Sequence, residues 1–148
     1  MLSFVLVGCG SDSTSATKVS PVSAPTPTQS ARTLNFKLNA APGYTMGGTA
    51  QFDIGVYGYT VTVTVKGLTP GSRHMINMHG GTCASQEISE TSLRRIDDAT
   101  VSANGTLTSV TSWSRIWSVP TGGRILTVHG NDGTDGQLAH IACADLTN

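Results

Sequence analysis

The fold class is decided by the stretch Tyr59-Thr60-Val61-Thr62-Val63-Thr64-Val65. Apolar and hydroxyl side chains alternate throughout it, and this period of two is typical of a strand that buries one of its faces. Aromatic and β-branched residues fill the run, which favours a strand over a helix. We expect its tyrosine and valines to point into a core and its threonines to face outward.

Similar runs lie on both sides of this strand. Leu34, Phe36 and Leu38 share one parity of a first strand. The other strands are expected over 48–54, 73–79, 100–102, 106–117, 124–129 and 138–143, with Asn104-Gly105 as a hairpin signal. Eight short strands between turn signals predict an all-β domain, either a sandwich or a Greek-key barrel.

One polar segment interrupts this pattern. Residues 84–98 include several charged side chains and no clear apolar period. We expect a loop there with at most one helical turn, in which Asp97 and Asp98 are solvated.

Length and charge limit the classes of protein to which this chain can belong. Its 148 residues suit one folded domain with a tail. Nine basic residues balance nine acidic ones, and no run of Lys or Arg could neutralise a row of phosphates. We therefore expect no nucleic-acid partner.

The first residues resemble the leader of a bacterial lipoprotein. A short apolar run ends in Leu6-Val7-Gly8-Cys9, which resembles the box at which such leaders are cut to leave a lipidated cysteine. No Lys or Arg precedes the run, so we expect a signal peptide over 1–8 that is truncated at its start. The Ser-, Thr- and Pro-rich segment 9–31 has too little apolar surface to fold and should be a disordered tether. The folded domain is expected over 32–148.

A lipid anchor would place this domain outside the cytoplasm, attached to the bacterial cell envelope on its periplasmic or outer side. The membrane is then the expected partner, through Cys9, and the sequence identifies no protein partner. Thiols oxidise in such a compartment, and Cys83 and Cys143 are the two cysteines that remain after Cys9. We expect these two to form a disulfide.

The stretch 73–79 is the densest in side chains that can bind a metal. Two histidines and two methionines lie within it, and Cys83 follows closely. Because side chains alternate across a strand, it should present two faces. One face should carry Met75, Asn77 and His79, and the other His74, Ile76 and Met78.

Several landmarks occur in a definite order along the chain: Val65-Lys66-Gly67-Leu68-Thr69-Pro70-Gly71, His74, Asn77-Met78-His79, Cys83, Thr127-Val128-His129 and Ile141-Ala142-Cys143. Their order and spacing resemble those of the Cu/Zn superoxide dismutases, and more closely those of bacterial secreted domains of that superfamily related to CHRD domains. The resemblance covers 33–148. It implies an eight-stranded Greek-key β-barrel or sandwich of the Cu/Zn superoxide dismutase type. It also implies a disulfide between the positions of Cys83 and Cys143.

The resemblance assigns only part of a copper site to this chain. A dismutase holds copper with a His-x-His pair, a bridging histidine and a later histidine. Here the pair reads Asn77-Met78-His79, the later residue is His129, and no histidine lies between His79 and His129. The bridging and zinc ligands are therefore absent, and no zinc is expected.

Copper would keep His79 and His129 as ligands. A thioether from Met75 beside them would suit Cu(I) better than Cu(II). For His74 we favour a structural hydrogen-bonding role over ligation.

His140 occupies the position at which the dismutases carry the arginine that draws superoxide to copper. An imidazole is mostly neutral at pH 7 and would guide an anion poorly. We give equal weight to two interpretations of His140, a third copper ligand and an ordinary surface histidine.

Three functions remain open on the sequence. They are a binding or structural module without chemistry, a weak copper-binding protein, and a copper-only superoxide dismutase that disproportionates superoxide without zinc. The departures from the dismutase pattern fall on the metal site itself, and fold alone does not imply function. We expect an envelope lipoprotein of the first or second kind, without efficient dismutase activity, and take the copper-only dismutase as the alternative.

Overall fold

Eight strands form the described part of the chain. The computed structural model describes residues 31–84, 94–114, 123–130 and 139–147, and none of these residues belongs to a helix that could span a membrane. The strands are β1 (Arg32–Ala40), β2 (Gly47–Ile54), β3 (Tyr59–Lys66), β4 (Arg73–Gly80), β5 (Arg94–Thr100), β6 (Thr106–Trp113), β7 (Arg124–His129) and β8 (His140–Asp145). The predicted all-β class is confirmed. The signal peptide, Cys9 and the tether as far as residue 30 lie outside the described residues.

The strands form one antiparallel sheet in the order β5-β4-β7-β8-β1-β2-β3-β6. The two outer strands, β5 and β6, lie side by side and nearly close the sheet into a barrel. Side chains join them: the Thr111 hydroxyl donates to the Ile96 carbonyl oxygen at 3.2 Å, and the Ser109 hydroxyl donates to the Asp97 carboxylate at 2.6 Å. β3 does not pair with β4 and β6 does not pair with β7, and such an order of non-sequential neighbours is that of a Greek key. The predicted eight-stranded barrel is therefore confirmed.

The core follows the alternation of the sequence. In β3 the tyrosine and the valines are buried, and the threonines between them are partly exposed, as predicted. Ile76 and Met78 of β4 and Leu126 and Val128 of β7 pack into the same core. Side chains alternate along a strand, so Asn77, between Ile76 and Met78, and Thr127, between Leu126 and Val128, must lie on the outer side of the barrel.

β2 and β3 approach each other closely at Gly48. A Cβ atom at this position would overlap the carbonyl oxygen of Thr64 on the paired strand. Glycine is the residue that permits such a close approach of two backbones. A residue with a side chain at position 48 would push the two strands apart.

β5 corrects the loop expected over 84–98. The strand begins at Arg94, and residues 85–93 lie outside the described residues. Its buried residues, Ile96 and Ala99, are separated by two aspartates, so strict alternation is absent. The pairing of β5 with β4 shifts register between Ile76 and Asn77, which is a β-bulge. Because of the bulge and the charged side chains, the sequence of β5 does not show the period-two pattern by which a strand is recognised.

The interpretation of Asp97 and Asp98 as solvated loop residues is also wrong. Both lie in β5, where Asp97 accepts the hydrogen bond from Ser109. Asp98 forms ion pairs with Arg73 at 2.8 Å and with Arg95 at 3.1 Å. These partners fix β5 to its neighbours on both sides.

Three other strand boundaries differ from the prediction. Residues 100–102 are the end of β5 and the start of a turn that contains Asn104 and Gly105, as the hairpin signal indicates. β6 ends at Trp113, and residues 115–117 lie outside the described part of the chain. β8 continues to Asp145 instead of ending at Cys143. Residue 138, the predicted start of that strand, is not among the described residues.

Candidate metal centre

Three histidines from neighbouring strands meet on the outer side of the barrel. His79 lies near the end of β4, His129 ends β7, and His140 begins β8. They come together because β7 pairs with both β4 and β8. One ring nitrogen from each histidine lies within 4.8 Å of the other two, and the Nε2 atoms of His79 and His129 are 3.4 Å apart. We call these three residues the histidine cluster.

The histidine cluster is largely removed from solvent. His79 is 4% exposed and His129 is 6% exposed, while His140 is half-buried. Burial, followed by repulsion from the rings of His129 and His79, lowers the pKa of His140 to about 4. The His140 imidazole is therefore neutral at pH 7, which is the form that binds metals. The half-buried position of His140 beside two other imidazoles is compatible with its interpretation as a ligand.

The Nε2 atom of His129 has further polar neighbours. The Thr127 hydroxyl oxygen lies 3.1 Å away, and Nδ2 of Asn77 lies 3.4 Å away. Thr127 is fully buried on the outer face of β7, two positions before His129. Thr127 was not predicted as a site residue, although its spacing from His129 places both side chains on one face of a strand.

His74 lies beside the histidine cluster but faces away from it. Its Nδ1 atom is 2.8 Å from the backbone carbonyl oxygen of His129, and its Nε2 atom is 2.8 Å from the Ser72 hydroxyl. A carbonyl oxygen only accepts, so Nδ1 donates this bond. The Nδ1 bond holds the backbone of β7 against the start of β4, and the Nε2 contact with Ser72 fixes the ring. This position matches the hydrogen-bonding role expected for His74.

Asn77 and Met75 line the cluster on the β4 side. The Asn77 amide nitrogen donates to the Met75 sulfur at 3.2 Å. The Asn77 side chain is 6% exposed. Its Oδ1 atom is buried without a hydrogen-bond partner in the described part of the chain. A buried polar atom of this kind is costly, and such atoms often mark sites that bind something.

The predicted disulfide between Cys83 and Cys143 is confirmed. It connects the segment after β4 to the middle of β8. The backbone N–H of Cys83 also donates to the Asp145 carboxylate at 2.9 Å. The strand that carries His79 and the strand that carries His140 are therefore joined covalently near the cluster.

The donor set is suitable for a transition metal. Imidazole nitrogens suit zinc, copper, iron and nickel. Among the described residues, no cysteine or carboxylate joins the group of three histidines. The arrangement could therefore hold a metal ion with three neutral ligands, and the donor set alone leaves open which ion it is.

A scan against models of protein families finds no match, and a search of curated proteins finds none either.

Proposed function

We propose that this protein binds copper at the bacterial cell envelope through His79, His129 and His140. The observation that carries the proposal is the meeting of three imidazole nitrogens from β4, β7 and β8, two of them from buried side chains and one from a half-buried side chain. These residues are up to 61 positions apart, so their meeting depends on the whole barrel. A shared function explains why three histidines occupy largely buried positions, since histidine in such a place needs partners.

The choice of copper is supported by the resemblance to the Cu/Zn superoxide dismutases. Two features that the resemblance implies, the eight-stranded barrel and the Cys83–Cys143 disulfide, are present. The two positions that it assigns to copper, His79 and His129, are in contact. Zinc is disfavoured because the resemblance leaves the chain without the bridging histidine and the zinc histidines.

The envelope location is supported by the sequence and by the disulfide. The lipoprotein-like box at Cys9 would anchor the chain to a membrane. A disulfide between Cys83 and Cys143 is usual for a protein in an oxidising compartment and unusual for one in the cytosol.

Binding is proposed in preference to efficient dismutation. His140, which stands where the dismutases carry the guiding arginine, is a member of the histidine cluster and is neutral at pH 7. Copper-only superoxide dismutation remains the second candidate. It is favoured by the partial exposure of His140, which gives a small anion access to one side of the cluster.

The proposal is tested by metal titration of the full chain. Every sample carries Cys9→Ser, because a free thiolate would bind copper by itself. Cu(I), Cu(II) and Zn(II) are added separately, and the bound metal is counted after gel filtration. We expect one copper per chain in the parent and loss of that site in a His79→Ala, His129→Ala double variant.

A matched control carries Thr62→Ala and Thr64→Ala, two substitutions on the outer face of β3, and should bind copper as the parent does. Copper uptake that is unchanged in the histidine double variant would overturn the proposal. So would tighter binding of zinc than of copper. Superoxide dismutation by the copper-loaded parent, lost in the double variant, would favour the second candidate.

A further inference from the structure

We propose that the Met75 thioether completes the histidine cluster and makes it a site for cuprous copper. This inference rests on the copper site proposed above. It adds Met75 to the three histidines as a fourth ligand, and it specifies that the bound ion is Cu(I).

Met75 lies on the same face of β4 as the cluster. It is two positions before Asn77 and four before His79, so all three side chains emerge on the outer side of the barrel. The Asn77 amide nitrogen is 3.2 Å from the Met75 sulfur and 3.4 Å from Nε2 of His129. One atom therefore touches both the thioether and a ring of the cluster.

The Asn77 amide nitrogen also gives the orientation of the thioether. An amide nitrogen only donates, so the Met75 sulfur accepts this bond with a lone pair directed at Asn77. Nε2 of His129 lies 3.4 Å from the same nitrogen. The thioether is therefore directed at the side of the histidine cluster that Asn77 lines.

The core does not account for the position of Met75. Met78 is 2% exposed and fills the core, and Met46 packs against the core from its edge. Met75 points to the other side of the sheet, where its neighbour is the polar side chain of Asn77. Methionine usually serves to fill apolar gaps, and Met75 does not serve that purpose here.

Charge and softness both favour the monovalent ion. The three imidazoles and the thioether are neutral donors, so a bound ion keeps its whole charge in a largely buried site. The carboxylate across from Met75 on β5 is that of Asp98, which is already paired with Arg73 and Arg95. Burying one uncompensated charge costs less than burying two. Thioethers are soft donors that select Cu(I) over harder divalent ions.

The test compares Met75→Leu with Met46→Leu in the full chain, both in the Cys9→Ser background. Leucine keeps the apolar volume and removes the sulfur. Cu(I) affinity is measured without oxygen by competition with a colorimetric chelator, with ascorbate as the reductant so that the disulfide stays intact. We expect Met75→Leu to weaken Cu(I) binding by about 10-fold or more. Cu(II) binding should change much less, and Met46→Leu should change neither.

A second measurement follows the sulfur directly. In protein labelled with ¹³C at the methionine methyl groups, the Met75 signal should shift when Cu(I) is added, and the Met46 and Met78 signals should stay in place. The Met75 assignment comes from the Met75→Leu spectrum.

The possible results separate this inference from the proposed function. If the parent binds neither form of copper, the proposed function fails and this inference fails with it. If copper binds through the histidines but Met75→Leu leaves the ratio of Cu(I) to Cu(II) affinity unchanged and the methyl signal does not shift, only this inference is overturned. An equal loss of both ions in Met75→Leu would also overturn it, because that loss would show a packing role.

Discussion

His74 holds the backbone of one cluster residue in place. Its Nδ1 atom donates to the His129 carbonyl oxygen, and the ring is 6% exposed. We predict that His74→Ala lowers the free energy of unfolding by about 1–3 kcal/mol, because the buried His129 carbonyl oxygen loses this hydrogen bond. Copper affinity should also fall by about 10-fold or more, as is usual when a group that orients a ligand is removed.

Urea unfolding and copper competition measure these two effects. Ser72→Ala is the control: it removes the contact with Nε2 of His74 and the hydroxyl's bond to the Thr69 carbonyl oxygen but keeps the bond from His74 to His129, so copper affinity should change much less. Loss of stability in His74→Ala with unchanged copper affinity would contradict the positioning role.

Asp53 gives the barrel a measurable sensitivity to acid. Its carboxylate accepts hydrogen bonds from the Thr33 hydroxyl and the Gln51 amide, both at 2.7 Å. The Thr33 bond first, and then the Gln51 bond, hold the pKa of Asp53 below its ordinary value of 3.8. The unfolded chain therefore takes up this proton before the folded protein does. The stability that these bonds provide is complete above the ordinary pKa and is lost as the pH falls through the lower, folded value.

The prediction is that Asp53→Asn costs stability at pH 6 and that its difference from the parent shrinks below about pH 4. Urea unfolding at a series of pH values measures this difference. If the free energies of unfolding of Asp53→Asn and the parent differ by the same amount down to the lowest pH, the bonds to Thr33 and Gln51 contribute nothing specific to the ionised carboxylate.

The β2–β3 pair depends on a glycine at one position. A Cβ at Gly48 would overlap the backbone of Thr64, which cannot move aside without parting the two strands. We predict that Gly48→Ala lowers the free energy of unfolding by about 1–3 kcal/mol, as overpacking does elsewhere. Chemical denaturation provides the measurement.

The neighbouring glycine is a close control for this prediction. A Cβ at Gly47 would meet its nearest atom, the Leu38 carbonyl oxygen, only at 4.0 Å. Gly47→Ala should therefore leave stability nearly unchanged. Equal effects at the two positions would show that strand entropy, and not the close approach to Thr64, explains the glycines.

The strands that could be predicted from the sequence are those with one regular face. β1, β2, β3 and β7 alternate or run apolar, and their positions were close to those observed. β5 could not be found in this way because a bulge interrupts its period and because its Asp97 faces a hydroxyl on β6. The pattern of residues along one segment does not reveal that a charged side chain in it will bind a residue on another strand.

The same limit applies to the candidate site. The chemistry of His79 and His129 is visible in the sequence, and the resemblance relates them to one another. The spacing of Thr127 from His129 could have revealed Thr127, because both lie on one face of β7. The place of His140 depends on the pairing of β7 with β8, which includes a register shift between Val128 and His129. No spacing rule along the chain predicts that shift. The Cu(I) preference that we propose likewise rests on a contact, between Asn77 and Met75, that strand parity permits but does not require.

The disulfide acts on the stability of the whole barrel. Cys83 and Cys143 are separated by 60 residues. Closing a loop of that length should stabilise the folded state by about 4 kcal/mol in the chain-entropy account. We predict that a Cys83→Ala, Cys143→Ala double variant loses free energy of unfolding of this order, measured by urea denaturation against a parent that carries only Cys9→Ser. Two reactive thiols in the unreduced parent would contradict the pairing on which the prediction rests.

The strand order has a consequence for the time at which the metal centre can exist. β1 pairs with β8, the last strand described, and two of the three cluster histidines lie on β7 and β8. Contacts between segments so distant in the chain form slowly, since the intervening chain must be closed first. While the chain is being synthesised, His79 is present long before His129 and His140 are. The histidine cluster can therefore exist only in a finished barrel, and a chain that fails to complete its final strand would lack the copper site that we propose.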